Sequence, residues 1–521
     1  MKNKYYNILS GGLFGLAIGF SLVACNDVWD EHFDQNGGVA SADLMSLMKS
    51  DNQLGRFCQI LEKTGCDSLL NTSQTYTVWA PVDEALADVD LNDMDAMRRI
   101  ALNHIARYLN PTSTETDKRI KMLNGKSMSY TSGDEFNGVR VVSGNIRGLN
   151  GLLHKLDTQI PYRYNLREYI STQDKYSKLY DFISTYDEKI YDEELSTTYD
   201  SIFMDYNRLL EDPIYGIGSI GDEDSVYTMI LPDNAAWDAA YEHISPYFKV
   251  YNKSQEYADS VQAVQTGLAI LSGLTFRDKY TNPSEEDSMV TVTSHVIRKT
   301  ADYFNGYASE EASNGMIFKA DGNLNYDDTC VWNLPIEVEA ENMDTRVSLT
   351  GTNAYIRNTD VNSLVSKVSN SSYLEVVGSS VNPGVVFDVM NVLSGKYDIY
   401  VDFVPPIIDG ESMAMEKTRV MFQLKYRTAT GGNKTLTNRS SDLIVGGTGT
   451  DEIITVKAWE GVEFPISNYY DALWFLDENH SLADATVTTT LQIQANVNSS
   501  ELNKELVRKF RVDRIRFVPV K

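Results

Sequence analysis

Six histidines, four cysteines, many carboxylates and a few clustered aromatics are the side chains of this sequence that could do chemistry. His104 lies among Met97, Ile100, Ala101, Ile105 and Tyr108 at helical spacing, while His154 shares a strand face with Leu152 and Leu156. Both patterns predict buried, hydrogen-bonded structural histidines rather than catalysts. The six His are scattered singly and form no triad, and no GxSxG elbow, phosphate-binding loop, dinucleotide turn or HExxH motif occurs, so a catalytic role is not expected. Glu339 and Glu341 alternate along an expected strand, which puts both carboxylates on one face within reach of one hard cation. Trp459, Tyr469, Tyr470 and Trp474 fall in a loop-rich stretch. An exposed ring there would stack on the apolar face of a sugar, whereas a buried one would be core.

The elements that hold these residues follow from length and pattern. At 521 residues the chain predicts about three folding units, and 42 % hydrophobic residues are enough to give each a core. Lys and Arg number 46 against 73 Asp and Glu, a formal charge of −27 with no basic stripe, which argues against a nucleic-acid partner. Leu54, Phe57, Cys58 and Leu61 predict a helix stopped by Gly65. Tyr76 to Pro81 reads as a strand, with a helix start at Val82 to Leu86. Asn124-Gly125 supplies hairpin chemistry, and Gly151 to Asp157 closes an α+β unit. Three stretches then recur in the same order: Tyr227 to Trp237 repeats Tyr76 to Leu86, Ser294 to Arg298 echoes Asn103 to Arg107, and Gly315 to Asp321 echoes Gly151 to Asp157. This predicts a diverged internal duplication.

The order YTVWAPVDEAL, LNHIARY, NGLLHKLD resembles the fasciclin (FAS1) domain. The resemblance implies one such α+β domain over residues 41–162 and a diverged copy over 163–333, which carries Phe318 where the first copy has His154. Within the second copy, Asp187 to Asp224 holds 12 acidic and 2 basic residues, which predicts a solvated, partly helical insertion.

From residue 334 to 521 the texture changes to short alternating runs such as Lys396 to Val404 and Val420 to Tyr426, separated by Gly, Asn and Ser; this is the pattern of a β-sandwich. Its first run, Ile336 to Asn342, and its last, Arg511 to Phe517, resemble those of jelly-roll carbohydrate-binding modules. That resemblance implies a structural calcium held by Glu339, Glu341 and Asp513; the alternative is three surface acids. No other cofactor is called for.

At the other end, Lys2 and Lys4 precede an apolar run, Leu13 to Ala24, too short for the roughly 20 residues a spanning helix needs. Residues 1–24 therefore read as a secretory signal. Leu22-Val23-Ala24-Cys25 resembles the lipobox of bacterial lipoproteins, which implies acyl chains on Cys25. Residues 25–40 would form an acidic tether, and Asp27, Asp30, Glu31 and Asp34 resemble the signals that send lipoproteins to the outer face of the outer membrane. In that compartment Cys58 and Cys66 are close enough in sequence to bridge if geometry allows, which would leave Cys330 unpaired. By resemblance, lipoproteins of this kind accompany TonB-dependent importers and SusD-like lipoproteins, implying capture of a glycan or peptide for uptake. Adhesion between cells, or between cell and matrix, is the alternative.

Overall fold

The structure, a computed structural model, describes residues 42–70, 74–115, 118–191, 202–212, 216–326, 331–351, 353–359, 362–468, 487–502 and 504–520. Cys25, Cys330, Tyr469, Tyr470 and Trp474 lie outside the described residues. The chain divides into one unit ending at Pro161 and a second starting at Tyr162.

In the first unit the strand Tyr76–Pro81 is buried along its whole length because both its faces are covered. Tyr76, Val78 and Ala80 pack against the helices Leu44–Ser50, Gly55–Thr64 and Met94–Asn103, and Trp79 turns to a second cluster with Tyr130, Phe136 and Leu156. The strand runs parallel to Gly151–Leu156 and antiparallel to Ile105–Arg107. Gly65 ends its helix in the left-handed conformation, φ 73°, as its sequence position predicts. Gly125, φ 85°, turns the short hairpin of Ile120–Lys121 and Ser127–Met128. The helix start expected after Pro81 is only a 3₁₀ turn, Asp83–Leu86.

The second unit opens with a copy of this plan. Strand order Thr275–Arg277, Tyr227–Pro232, Gly315–Ala320, Ala308–Ala312 reproduces Ile105–Arg107, Tyr76–Pro81, Gly151–Leu156, Val139–Gly148. The hydrogen bonds repeat as well. Thr77 and Thr228 each donate through Oγ1 to a carbonyl, Tyr108 O at 2.7 Å and Asp278 O at 3.0 Å. Both carbonyls belong to residues of positive φ. The side chains of Asn150 and Asn314 accept from the first residue of a helix, Leu44 and Leu166.

One of the three sequence echoes is corrected by this register. Trp79 N donates to His104 O, and in the second copy Ile230 N donates to Leu274 O, so the counterpart of His104 is Leu274 and not His295. His295 instead closes the hairpin of Met289–Val290 and Val296–Ile297, where Thr291 N donates to its carbonyl as Met122 N does to that of Lys126. The acidic insertion has the expected helical part, but it also has paired strands that the sequence pattern does not show. Its described part is an antiparallel hairpin, Asp187–Tyr191 with Phe203–Asn207, followed by a single helical turn, Arg208–Glu211.

The remainder of the second unit is a two-sheet sandwich. One sheet orders Asn353–Asn358, Ser372–Val377, Lys509–Pro519, Gly395–Phe403 and Ile454–Phe464, with Ile336–Glu339 also paired to Lys509–Pro519. The other orders Arg346–Thr350, Gly384–Asp388, Thr490–Ala495, Lys417–Arg427 and Asn433–Asn438. Tyr397, Ile399, Val401 and Phe403 from one sheet and Val420, Phe422, Leu424 and Tyr426 from the other alternate inward and fill the space between. Among the described residues no helix is long and apolar enough to cross a membrane.

Candidate functional site

The two histidines of the first unit have no ring nitrogen to spare. His104 caps the helix Met94–Asn103 rather than lying within it. Its Nδ1 is 2.7 Å from Ile100 O, a carbonyl that can only accept, so Nδ1 carries the proton and Nε2 accepts from Ile160 N at 3.0 Å. His154 has the other tautomer: Nδ1 accepts from Asn145 N at 3.2 Å and Nε2 donates to Asn110 O at 3.0 Å. Burial pushes both pKa values down to about 4, so both rings are neutral at pH 7. Trp79 stacks on His154 at 5.4 Å and on Phe136 at 4.2 Å. These are structural histidines, as their spacing predicts. Cys58 and Cys66 are buried free thiols, and desolvation pushes Cys58 up to about 11.

The last strand of the sandwich, Lys509–Pro519, is the charged hub of the second unit. Asp402, almost fully buried, accepts from Arg516 at 2.8 and 2.9 Å, from Arg514 at 3.2 Å and from Thr455 Oγ1 at 2.7 Å. Burial opposes its ionisation, yet these partners outweigh burial and hold its pKa below the usual carboxylate range. Asp409 bonds Arg511 and Lys509, and Lys509 also pairs with Glu375 at 2.9 Å.

Asp513 on the same strand behaves in the opposite way. It is 1 % exposed, and among the described residues no cation bonds it and its Oδ1 accepts only the backbone N–H of Ser369, at 3.0 Å. Desolvation, with the nearby Glu339 charge adding to it, raises its pKa to about 7. The turn at Ser369 and Asn370 gathers the two other predicted ligands. Ser369 Oγ donates to Glu339 Oε1 at 2.7 Å, and Asn370 Nδ2 donates to Glu341 Oε1 at 3.3 Å. The remaining oxygens, Glu339 Oε2 and Glu341 Oε2, are buried without a hydrogen-bond partner among the described residues. Burial also raises the pKa of Glu339, with the Glu341 charge adding to it.

The sequence expectation of one shared strand face for the two glutamates is corrected: the strand ends at Glu339 and Glu341 lies in the turn beyond. They meet through the 369–370 turn instead, and Asn370 at φ 48° and Ser371 at φ 53° shape that turn. Among the described residues no group of three or more His, Cys, Asp or Glu side chains is placed as a ready metal cluster. The donor set nonetheless suits a hard cation: carboxylate oxygens alone, two of them orphaned and buried.

Of the four aromatic candidates only Trp459 is described. It sits on the strand Ile454–Phe464 and not in a loop, half-buried, with its ring 6.1 Å from Phe422 of the core.

Residues 52–161 match the family model of the Fasciclin domain. No match is found among curated proteins. Among solved structures, a FAS1 domain pair from the insect cell adhesion molecule Fasciclin I is 13 % identical, with 54 % of this chain and 98 % of that one covered and a TM-score of 0.21. The C-terminal CBM6 of a marine laminarinase, LamC from Zobellia galactanivorans, is 10 % identical over 36 % of this chain and 99 % of that one, at a TM-score of 0.18. An exo-β-1,3-galactanase from Phanerochaete chrysosporium is 13 % identical at a TM-score of 0.17; the chain spans 29 % of it. The chain thus carries a fasciclin domain over residues 52–161.

Proposed function

We propose that the protein is a non-catalytic, lipid-anchored envelope protein that captures a glycan or peptide outside the cell, beside an outer-membrane TonB-dependent importer and a SusD-like lipoprotein. What carries the reading is the coupling of a fasciclin domain, a binding and adhesion module, to a β-sandwich braced by ion pairs around its last strand. Acyl chains on Cys25 would moor it, since each buried CH₂ adds about 0.8 kcal/mol of membrane affinity and more than one chain makes anchoring stable. Trp459, Tyr469, Tyr470 and Trp474 are the proposed aromatic contacts for ligand.

Glu339, Glu341 and Asp513 would hold a structural calcium. Bound there, the cation neutralises three crowded carboxyls and ties the first and last strands of the sandwich to the 369–370 turn. The orphaned Glu339 and Glu341 oxygens and the raised Asp513 pKa support this assignment.

The test is a glycan and peptide array probed with the soluble chain, paired with co-purification from membranes. Discrete soluble ligands together with a stable importer complex are the expected result. Binding confined to intact cells or matrix would instead make the protein an adhesin.

A further inference from the structure

A cavity of about 660 Å³ lies within the second unit, where the second fasciclin-like copy meets the sandwich. This is within the roughly 300–1,000 Å³ of small-molecule sites. Its seam is closed by backbone hydrogen bonds, Ser394 N to Tyr247 O at 2.8 Å and Ser467 N to Lys249 O at 2.5 Å. Trp332, on the cavity wall, packs edge-on against Tyr247 at 4.8 Å. These contacts make the cavity part of a packed interface.

Leu268, Val292, Trp332 and Val338 give the cavity an apolar side, with His295 and Asp388 among its polar residues. Thr293 Oγ1 donates to Ser272 O at 2.6 Å, so its proton is committed and the 2.9 Å contact with His295 Nδ1 must be donated by the imidazole. His295 Nε2 is therefore left as an acceptor, and burial keeps the ring neutral by lowering its pKa. Among the described residues the Asp388 carboxyl has no hydrogen-bond or ion-pair partner, and desolvation raises its pKa. Glu337, also on the wall, is already neutralised by Arg514 at 3.1 Å. Among the described residues no Lys or Arg lines the cavity, which disfavours an anion. Two open acceptors beside an apolar wall suit a ligand rich in hydroxyl donors that also has an apolar face.

We infer that this seam cavity binds a short neutral saccharide, with Asp388 and His295 accepting from its hydroxyls and the Trp332 side packing on its apolar face. The inference rests on the glycan-capture reading and deepens it, because it names the ligand class and a site in the seam, whose lining does not include Trp459, Glu339, Glu341 or Asp513.

The test titrates the full chain in detergent by calorimetry with glucose, galactose, xylose, lactose and cellobiose, using glucuronate and spermidine as charged controls. At least one neutral sugar is expected to bind. Ala269→Phe, which fills the cavity from the helix Gln255–Leu271, should abolish that binding. Asp388→Asn, which preserves volume, should weaken it about tenfold or more with the melting temperature unchanged. Sugar binding that survives both substitutions overturns the inference, as does a preference for spermidine or glucuronate. Array capture is read in parallel. If array glycans are held equally by wild type and both variants and no cavity-dependent sugar binding appears, the seam assignment fails while capture stands. Cavity-dependent sugar binding without array capture leaves the seam and removes the capture reading. No binding in either assay removes both.

Discussion

His104 and His154 show how a single side chain can make a fold sensitive to acid. Each is neutral and fully hydrogen-bonded in the folded chain, with a pKa lowered from 6.5 to about 4 by burial. The unfolded chain binds a proton near 6.5 that the folded chain refuses until about 4, so their contribution to stability is complete above about 6.5 and is lost as pH falls toward 4. The difference is on the order of 3 kcal/mol for each. Urea melts between pH 7.5 and 4.5 should show that loss, with a shallower pH slope in His104→Gln; an unchanged slope would refute the assignment. The two free cysteines make a second prediction at this scale. With Cys58 and Cys66 buried and the Cys58 thiol pushed up to about 11, a thiol reagent should label neither until the first unit unfolds. Fast labelling of Cys58 or Cys66 in the native protein, located by peptide mapping so that Cys25 and Cys330 are read separately, would contradict their placement.

Strand pairing carries the duplication, and it explains which elements are legible from sequence. Gly151 and Gly315 both adopt φ 155°, and a Cβ at either would lie 1.8 Å from Tyr76 O or 1.7 Å from Tyr227 O, in the strand beside it. Gly151→Ala and Gly315→Ala should each destabilise by about 3 kcal/mol in chemical denaturation, because backbone must move. Effects below about 1 kcal/mol would mean that the two parallel pairs are looser than described. Those glycines, the YTVWAP strand, Gly65 and the Asn124-Gly125 hairpin can be read in advance because local chemistry specifies them. The helix that seems to run through His104 and Ile105 instead stops at Asn103, because Ile105–Arg107 is claimed by pairing with Tyr76–Val78. The His295 echo misleads for a similar reason: a short motif match carries no register, and only the ladder shows that Leu274 occupies the His104 place. Glu339, Glu341 and Asp513 each hydrogen-bond the 369–370 turn, whose role no periodicity reveals, and among the described residues they do not form a ready metal cluster. The seam cavity was not legible at all, since Leu268, His295, Trp332 and Asp388 converge only in three dimensions.

For the whole molecule the question is what two α+β copies and a sandwich do in one chain. The buried carboxyls of Asp513 and Glu339, both raised above the usual range, cost stability while ionised; for Asp513 that cost is relieved by protonation as pH falls below about 7, and a bound cation would relieve it above. Calcium at about a hundred times its dissociation constant would add about 2.7 kcal/mol to the sandwich. Calorimetry should show a higher melting temperature with calcium at pH 7.5, a smaller gain near pH 5.5, and none in Asp513→Asn. No response to calcium at pH 7.5 would remove the metal from the account. The claim on which the rest depends is that the protein holds its ligand without cutting it. Incubating the soluble chain on a glycan and peptide array and analysing both the retained and the released material tests this most directly. The account predicts intact ligand retained on discrete spots and no product in solution; shortened ligand in the wash, or an array with no bound protein, would contradict it.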